Sequence, residues 1–366
     1  MQLVAVEFPV IFFLIAALYW VVPYTSQSTI RFGVRIPPSR MYDPVLVYFN
    51  VLYRKRLEFA TFAIFFAFIV VPTLFGSYQI DIAAIFFEII SAHAFFVLAH
   101  RSLVRIKRER GWYQGVKEAA GIVIFDDKVA NRDAVYSILL AMSACIIFVT
   151  MVMGVLMDSR ILAEINTLAE EGGVTGMLYV SSMLAAFSIP IAQTVLTTLL
   201  ALLSYVIMKS RQELEVFKPK TSYVQQYKFK KYTRYSIVAA SIMINASFLL
   251  IAVVSWGLLN RSFSSLISYL PLGSLLVFFL PMILLGQQGS RIKVDFEEES
   301  TDLANRNDDQ YWKGGMLYFN RGDSSFIVAN RFGVGWSLNF GNPLTWALIT
   351  FAVAGVSMAG IFLNIF

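Results

Sequence analysis

The sequence predicts an all-α polytopic membrane protein of about eight transmembrane helices carrying a small cytoplasmic β-hairpin cap. Three observations lead there. Of the 366 residues, 57% are hydrophobic and only 15% charged, a balance foreign to soluble domains. Apolar runs of about 17 to 25 residues recur along the chain, each long enough to cross a hydrocarbon core of roughly 30 Å. Of the 30 Lys and Arg residues, all but Arg160 and Arg261 fall in alternate connecting loops.

The eight runs lie near residues 3–22, 57–76, 79–99, 136–157, 177–207, 236–258, 265–286 and 344–364. The first has no basic stretch before it and no small-residue cleavage site after it, so it reads as a span and not as a leader. The fifth is overlong, and Pro190 in its middle predicts a kink or a tilted helix continuing out of the bilayer. Basic residues crowd the loops after spans one, three, five and seven, while Asp158, Glu164, Glu170 and Glu171 sit in the alternate loops. The positive-inside rule then places the basic loops in the cytoplasm and both termini outside it. The organisation follows: helices 1–7 with their basic loops over residues 1–286, an acidic linker over 287–310, the cap over 311–343 and an eighth helix over 344–366.

Charge and cysteine content bound the function. The net charge of +6 reads as topology determinants and anchors to anionic headgroups, and nucleic acid is not an expected partner. The single cysteine, Cys145, lies inside an apolar run and rules out an intrachain disulfide. No HExxH pair, GxSxG elbow, Walker loop or paired intramembrane aspartates occurs, so the chain reads as non-enzymatic, with neither a cofactor nor a metal site.

The most motif-dense stretch is the tail from Asp308 to Phe340. Asn320, Arg321, Gly322 and Asp323 favour a turn between Met316–Phe319 and Phe326–Ala329, which predicts a β-hairpin joining those two segments. A hairpin alone is marginal, so it must pack on the bundle. Two other cytoplasmic segments read as extended: Thr29 to Pro44, where Pro37-Pro38 forbids a helix, and Ala120 to Asp127, rich in β-branched residues. Arg31-Phe32-Gly33-Val34 recurs as Arg331-Phe332-Gly333-Val334. The three segments are expected to meet in one β-rich cap. Its candidate functional residues are Arg31, Gly33, Trp312, Tyr318, Asn320, Arg331, Gly333, Gly335, Trp336 and Asn339.

The tail pattern, from Asp309 through Trp312, Gly315, Tyr318 and Asn320 to Asp323, Val328, Arg331, Gly333, Gly335, Trp336 and Asn339, resembles a C-terminal domain of unknown function shared by many bacterial multi-pass membrane proteins. Phe32–Pro37 and Gly286–Arg291 look like further elements of the same proteins. The resemblance implies a bacterial plasma membrane and a distant association with SdpI-type immunity and signalling proteins. The Pro-rich loop and His-containing turn of the SdpI module are not found here.

Within the spans, ionisable and amide groups are the candidates for binding or coupling, because each is costly in hydrocarbon. They are Glu88 and His93 in span three, Gln193 in span five and Asn245 in span six. Glu88 and His93 lie about 140° apart around a helix, so each needs a partner from another span. His93 and His100 share a face but stand roughly 10 Å apart along it, too far for one metal. The expected function is regulatory or binding, in envelope stress or peptide immunity, with a cytoplasmic protein or a peptide as partner besides the lipid bilayer. The alternative is a secondary transporter or exporter with Glu88 as its coupling carboxyl.

Overall fold

The computed structural model describes residues 4–27, 29–74, 81–119, 133–169, 175–259, 264–294, 296–298, 303–333, 335–350 and 353–354. Helices α1 (Val4–Thr25), α2 (Pro44–Phe65), α3 (Val71–Leu74), α4 (Asp81–Glu109), α5 (Ala134–Ala169), α6 (Thr175–Lys209), α7 (Pro219–Ser255) and α8 (Ser264–Leu285) lie among them, with a further helical stretch at 343–350. Five stretches, Ala83–Glu109, Ala134–Met157, Phe187–Lys209, Pro219–Val254 and Tyr269–Gly289, are long and apolar enough to cross a bilayer, which makes the chain a multi-pass membrane protein. Ile11–Thr25 is a shorter apolar helix. Of the expected eighth span, 344–350 is helical and 355–364 lies outside the described residues, as does the expected strand at 120–127.

Several helices overrun the apolar runs that announced them. Apolar length reports the bilayer crossing only, whereas a helix continues until a cap or a proline stops it. Asp43 caps α2, its carboxylate accepting from the Val45 amide at 3.0 Å, and Pro44 sits in the first turn where its missing N–H costs nothing. Thus α2 begins well before the expected 57. Between α2 and α3, residues Phe66–Val70 widen into a π-helical turn. Pro72 cannot donate to the Phe68 carbonyl, and the wider turn absorbs that broken ladder.

The chain divides into two compact units. The first comprises Met1–Val123, Ser210–Tyr227 and Leu285–Phe366. In it α1, α2 and α4 pack together, and the extended front segment lies on them: Phe32, Val34 and Ile36 are buried with Phe49, Tyr53, Leu57, Phe96 and Leu103. Strands β1 (Ile30–Arg31) and β2 (Val34–Arg35) form a tight antiparallel pair whose turn holds Phe32 and Gly33 at positive φ. β3 (Glu118–Ala119) pairs in parallel with β4 (Ala304–Asn305).

The expected tail hairpin is corrected. Met316–Phe319 and Phe326–Ala329 do not pair with each other. Instead β5 (Trp312–Lys313) pairs with β6 (Leu317–Tyr318), and β7 (Ile327–Ala329) pairs with β8 (Trp336–Leu338). Gly314 and Gly315, at φ +60° and +74°, supply the first turn. The Asn320 to Asp323 turn is present, but its polar side chains bond their own loop: Asn320 Oδ1 accepts from Gly322 N, and Asp323 Oδ1 accepts from Ser325 N, both at 2.9 Å. Asn339 joins the two hairpins. Its amide nitrogen donates to the carbonyls of Asn320, Asp323 and Ser325, and its oxygen accepts from the amides of Asn320 and Gly341.

The second unit comprises Ile124–Lys209 and Lys228–Leu284. α5 packs along α6, and α7 joins them through buried polar side chains. Its outward residues are large and apolar, among them Ile138, Phe148, Leu156, Ile191 and Leu199, as a lipid-facing surface requires.

Candidate functional site

The first unit holds a buried ionic lattice assembled from five separated parts of the chain. Arg35 follows the β1–β2 turn, Lys107 ends α4, Glu213 lies between α6 and α7, Asp308 and Asp309 close the acidic stretch, and Arg331 follows β7. Asp308 Oδ1 accepts from Arg35 Nε at 2.8 Å and from Arg331 Nη2. Asp309 Oδ1 accepts from Arg331 Nη1 at 2.7 Å and from the Arg35 backbone amide at 3.0 Å, while its Oδ2 accepts from Lys107 Nζ at 2.6 Å. Lys107 spends its other two protons on the Arg35 carbonyl and Asn307 Oδ1, both at 2.8 Å. Arg35 also pairs with Glu213.

Three cations face three carboxylates here, with the Arg35 and Arg331 side chains 2% and 1% exposed. Burial alone disfavours such charges, and the opposite charges set beside them offset that cost, although the Arg331 Nε has no hydrogen-bond partner among the described residues. Burial raises Asp308, but the Arg331 and Arg35 guanidiniums outweigh it and hold the carboxyl well below the usual carboxylate range. Asp309 is likewise lowered against burial, by Arg331 and Lys107. Burial opposes the Arg35 charge, and Glu213 and Asp308 more than offset it.

The backbone around the lattice is equally close-fitted. A Cβ on Gly33 would lie 2.3 Å from the Gly315 carbonyl oxygen, and one on Gly315 would lie 2.5 Å from His100 Nδ1. His100 Nδ1 meets the Phe32 carbonyl at 2.8 Å. Phe32 and Phe332, the equivalent positions of the four-residue repeat, both pack on Phe96, and Arg331 donates to the Gly33 carbonyl at 3.2 Å. The repeat therefore marks two segments that pack against the same helix, α4.

Beside the lattice opens a polar cavity of about 700 Å³. Arg211, Glu213, Arg306, Asp308, Tyr311, Tyr318 and Asp323 line it. Asp323 accepts from the Tyr318 hydroxyl at 2.9 Å and from Arg211 at 3.2 Å. Burial and the Asp323 carboxylate push the Tyr318 phenol up to about 12, so it stays a donor. Another cavity, of about 500 Å³, opens on the Asp309 side and is lined by Lys107, Arg108, Tyr113 and Gln114.

Residues 321–346 match a family of unknown function, DUF5808. This segment carries Arg331 of the lattice, Asp323 of the cavity and Asn339 between the hairpins. No curated protein and no solved structure matches the chain. The association with SdpI-type proteins finds no counterpart in these comparisons.

The sequence-derived candidates fall into separate groups. Gly33, Trp312 and Arg331 lie at the lattice, with the Arg331 guanidinium 4.9 Å from the Trp312 ring centre. Tyr318 and Asn320 line the large cavity. Gly333 and Gly335 take φ of +69° and +96° in the β7–β8 loop, where Gln287 clamps Gly335 by accepting from its amide at 2.7 Å and donating to its carbonyl at 2.9 Å. Trp336 donates to Ser210 Oγ at 3.1 Å, and Asn339 is fully buried. Arg31 has no ion pair with a described residue; the front-segment arginine that shares Asp308 with Arg331 is Arg35, four residues on. Sequence reasoning did not single out Arg35, Lys107, Glu213 or Asp308 as site residues. They read as topology charges and linker, and only the Gly286–Arg291 motif hinted at the Gln287 clamp.

Glu88 and His93 each find a partner on another helix. Glu88 is fully buried and accepts from Thr61 of α2 at 2.7 Å through one carboxylate oxygen. His93 Nδ1 meets the Tyr19 hydroxyl of α1 at 2.6 Å, and its ring stacks on Phe332. Gln193 and Asn245 belong to the second unit, where Gln193 Nε2 donates to the Asn245 carbonyl at 2.9 Å.

Proposed function

We propose that the chain is a non-enzymatic binding or regulatory protein of the bacterial plasma membrane, with eight spans, both termini outside the cytoplasm, and a cytoplasmic cap as its recognition element. One observation carries this reading: the DUF5808-matching segment is tied into the buried ionic lattice through Arg331 and contributes to the wall of a polar cavity of about 700 Å³. A rigid polar concavity with tyrosines and charges of both signs suits a small polar ligand or a peptide end. The lattice residues support the cavity, while Arg306 and Tyr311 on its wall are the contacts offered to a ligand. An immunity or envelope-stress role with a peptide ligand is compatible with this placement.

The test is thermal unfolding of the purified full-length protein against peptides, nucleotides and lipids. A ligand that binds only the folded state raises the melting temperature by mass action. The expected outcome is a shift with one ligand class that is lost in Arg306→Ala and Tyr311→Ala and kept in Glu88→Gln. The second reading, a secondary transporter, draws on Glu88 itself: a fully buried carboxyl at membrane depth with one oxygen that has no partner among the described residues. A ligand shift lost in Glu88→Gln, together with substrate-dependent proton flux in liposomes, would establish that reading instead.

A further inference from the structure

The second unit contains a polar seam that the cap does not need. Ser143 and Thr150 of α5, Gln193 and Thr197 of α6, and Ser241 and Asn245 of α7 are all buried, inside helices long and apolar enough to span a bilayer. They form one connected network. Asn245 Nδ2 donates to Ser143 Oγ at 2.7 Å and Thr197 Oγ1 at 2.8 Å. Ser143 Oγ meets Ser241 Oγ at 3.2 Å, and Ser241 donates onward to the Val238 carbonyl at 2.8 Å. Gln193 Nε2 donates to Thr150 Oγ1 at 3.2 Å and to the Asn245 carbonyl at 2.9 Å, while Thr150 donates to the Ile146 carbonyl at 2.9 Å.

Both amides have therefore committed both of their N–H donors, and neither amide oxygen has a partner among the described residues. Gln193 is 0% exposed and Asn245 1%, so water outside the protein does not reach those oxygens. Leaving such an acceptor unmet carries the full desolvation penalty of the group. The hydroxyl oxygens of Ser143, Thr150 and Thr197 each accept one of these bonds and retain a second lone pair. The groups left unmet in the seam are the two amide oxygens, and unmet oxygen acceptors favour a positive centre. It contains no carboxylate, and hard divalent cations are ordinarily held by carboxylates.

We propose that this seam is a binding site for a small monovalent cation, coordinated by Gln193 Oε1 and Asn245 Oδ1 with hydroxyl oxygens of the same network. Neutral oxygens replace the hydration shell of such an ion without trapping it, as dipolar oxygen ligands do in membrane proteins that handle alkali cations.

The experiment is equilibrium binding of ²²Na⁺ and ⁸⁶Rb⁺ to the purified full-length protein in detergent, with thermal unfolding in NaCl, KCl and N-methylglucamine chloride at equal ionic strength. Expected are saturable binding of one of the two isotopes and a melting temperature that rises with the matching salt. Both should be lost in Asn245→Leu and weakened at least tenfold in Gln193→Met. If Asn245→Leu does not fold, Gln193→Met decides, with Tyr42→Ala, at a position 92% exposed, as a variant that keeps the site. Absence of saturable binding in the wild type overturns the proposal. So does binding that Gln193→Met leaves unchanged, and so does equal stabilisation by all three salts, which would leave the amide oxygens to water.

Discussion

At the residue scale, the lattice shows why identical charges have unequal weight. Arg54 lies over the rings of Tyr24 and Trp20 at the edge of the first unit, where it is one of many basic residues suited to a headgroup layer. Arg331, 1% exposed, instead binds both aspartates and the Gly33 carbonyl, and a buried charge deprived of its partner costs about 3–5 kcal/mol. The pH dependence follows from the aspartates. Both Asp308 and Asp309 are held below the ordinary aspartate value of about 4, so their contribution is complete above that value and is lost as the pH falls toward their depressed ones. The wild-type melting temperature should hold steady near neutrality and drop below about pH 4. Asp308→Asn should start lower and lose less over the same acid range. Parallel pH curves for the two proteins would refute the lattice as the acid-sensitive element.

At the scale of elements, the front turn and the tail turn interlock through glycine. Gly33 and Gly315 both take positive φ, and their backbones approach so closely that a methyl on Gly33 would meet the Gly315 carbonyl at 2.3 Å. Gly115 has a similar φ of +72° with nothing within 4 Å, which provides the control. Gly115→Ala should cost only the left-handed backbone penalty of about 1–2 kcal/mol. Gly33→Ala should cost roughly double or more, because the two hairpins must also separate; denaturant unfolding of the two variants compares them. Equal losses would mean that the front and tail turns are not in contact. The tail turn expected from the sequence was Asn320–Asp323, and the positive φ at Gly33, Gly314 and Gly315 emerged only in the structure. Strand pairing was legible only in part: the Asn320–Asp323 turn was expected to join two strands, but Asx bonding within the loop and the Asn339 hub link each strand to a different partner. Turn chemistry is local, and the choice of partner strand is not.

At the scale of the whole molecule, orientation rests on the partition of basic residues between alternate loops, and accessibility labelling tests it. Cys145 is the sole cysteine and is exposed on α5, so it is first replaced by Ala. Tyr42→Cys, at a position 92% exposed before α2, and Arg321→Cys, in the tail, should react with a membrane-impermeant maleimide only after permeabilisation; Leu258→Cys, after α7, should react in intact cells. The reverse pattern would invert the proposed topology. The sequence by itself determined the membrane class, the approximate position of the described spanning helices and the isolation of Glu88 from His93, because apolar run length, charge partition and helical period are properties of neighbouring residues. Only the tertiary structure decided which charges matter. Arg35 and Asp308 are 273 positions apart, and the Gln193 side chain reaches the Asn245 backbone carbonyl between helices that nothing in their local sequence pairs. A buried charge and a surface charge are the same letter; what separates them is the set of distant groups that folding brings within hydrogen-bonding reach.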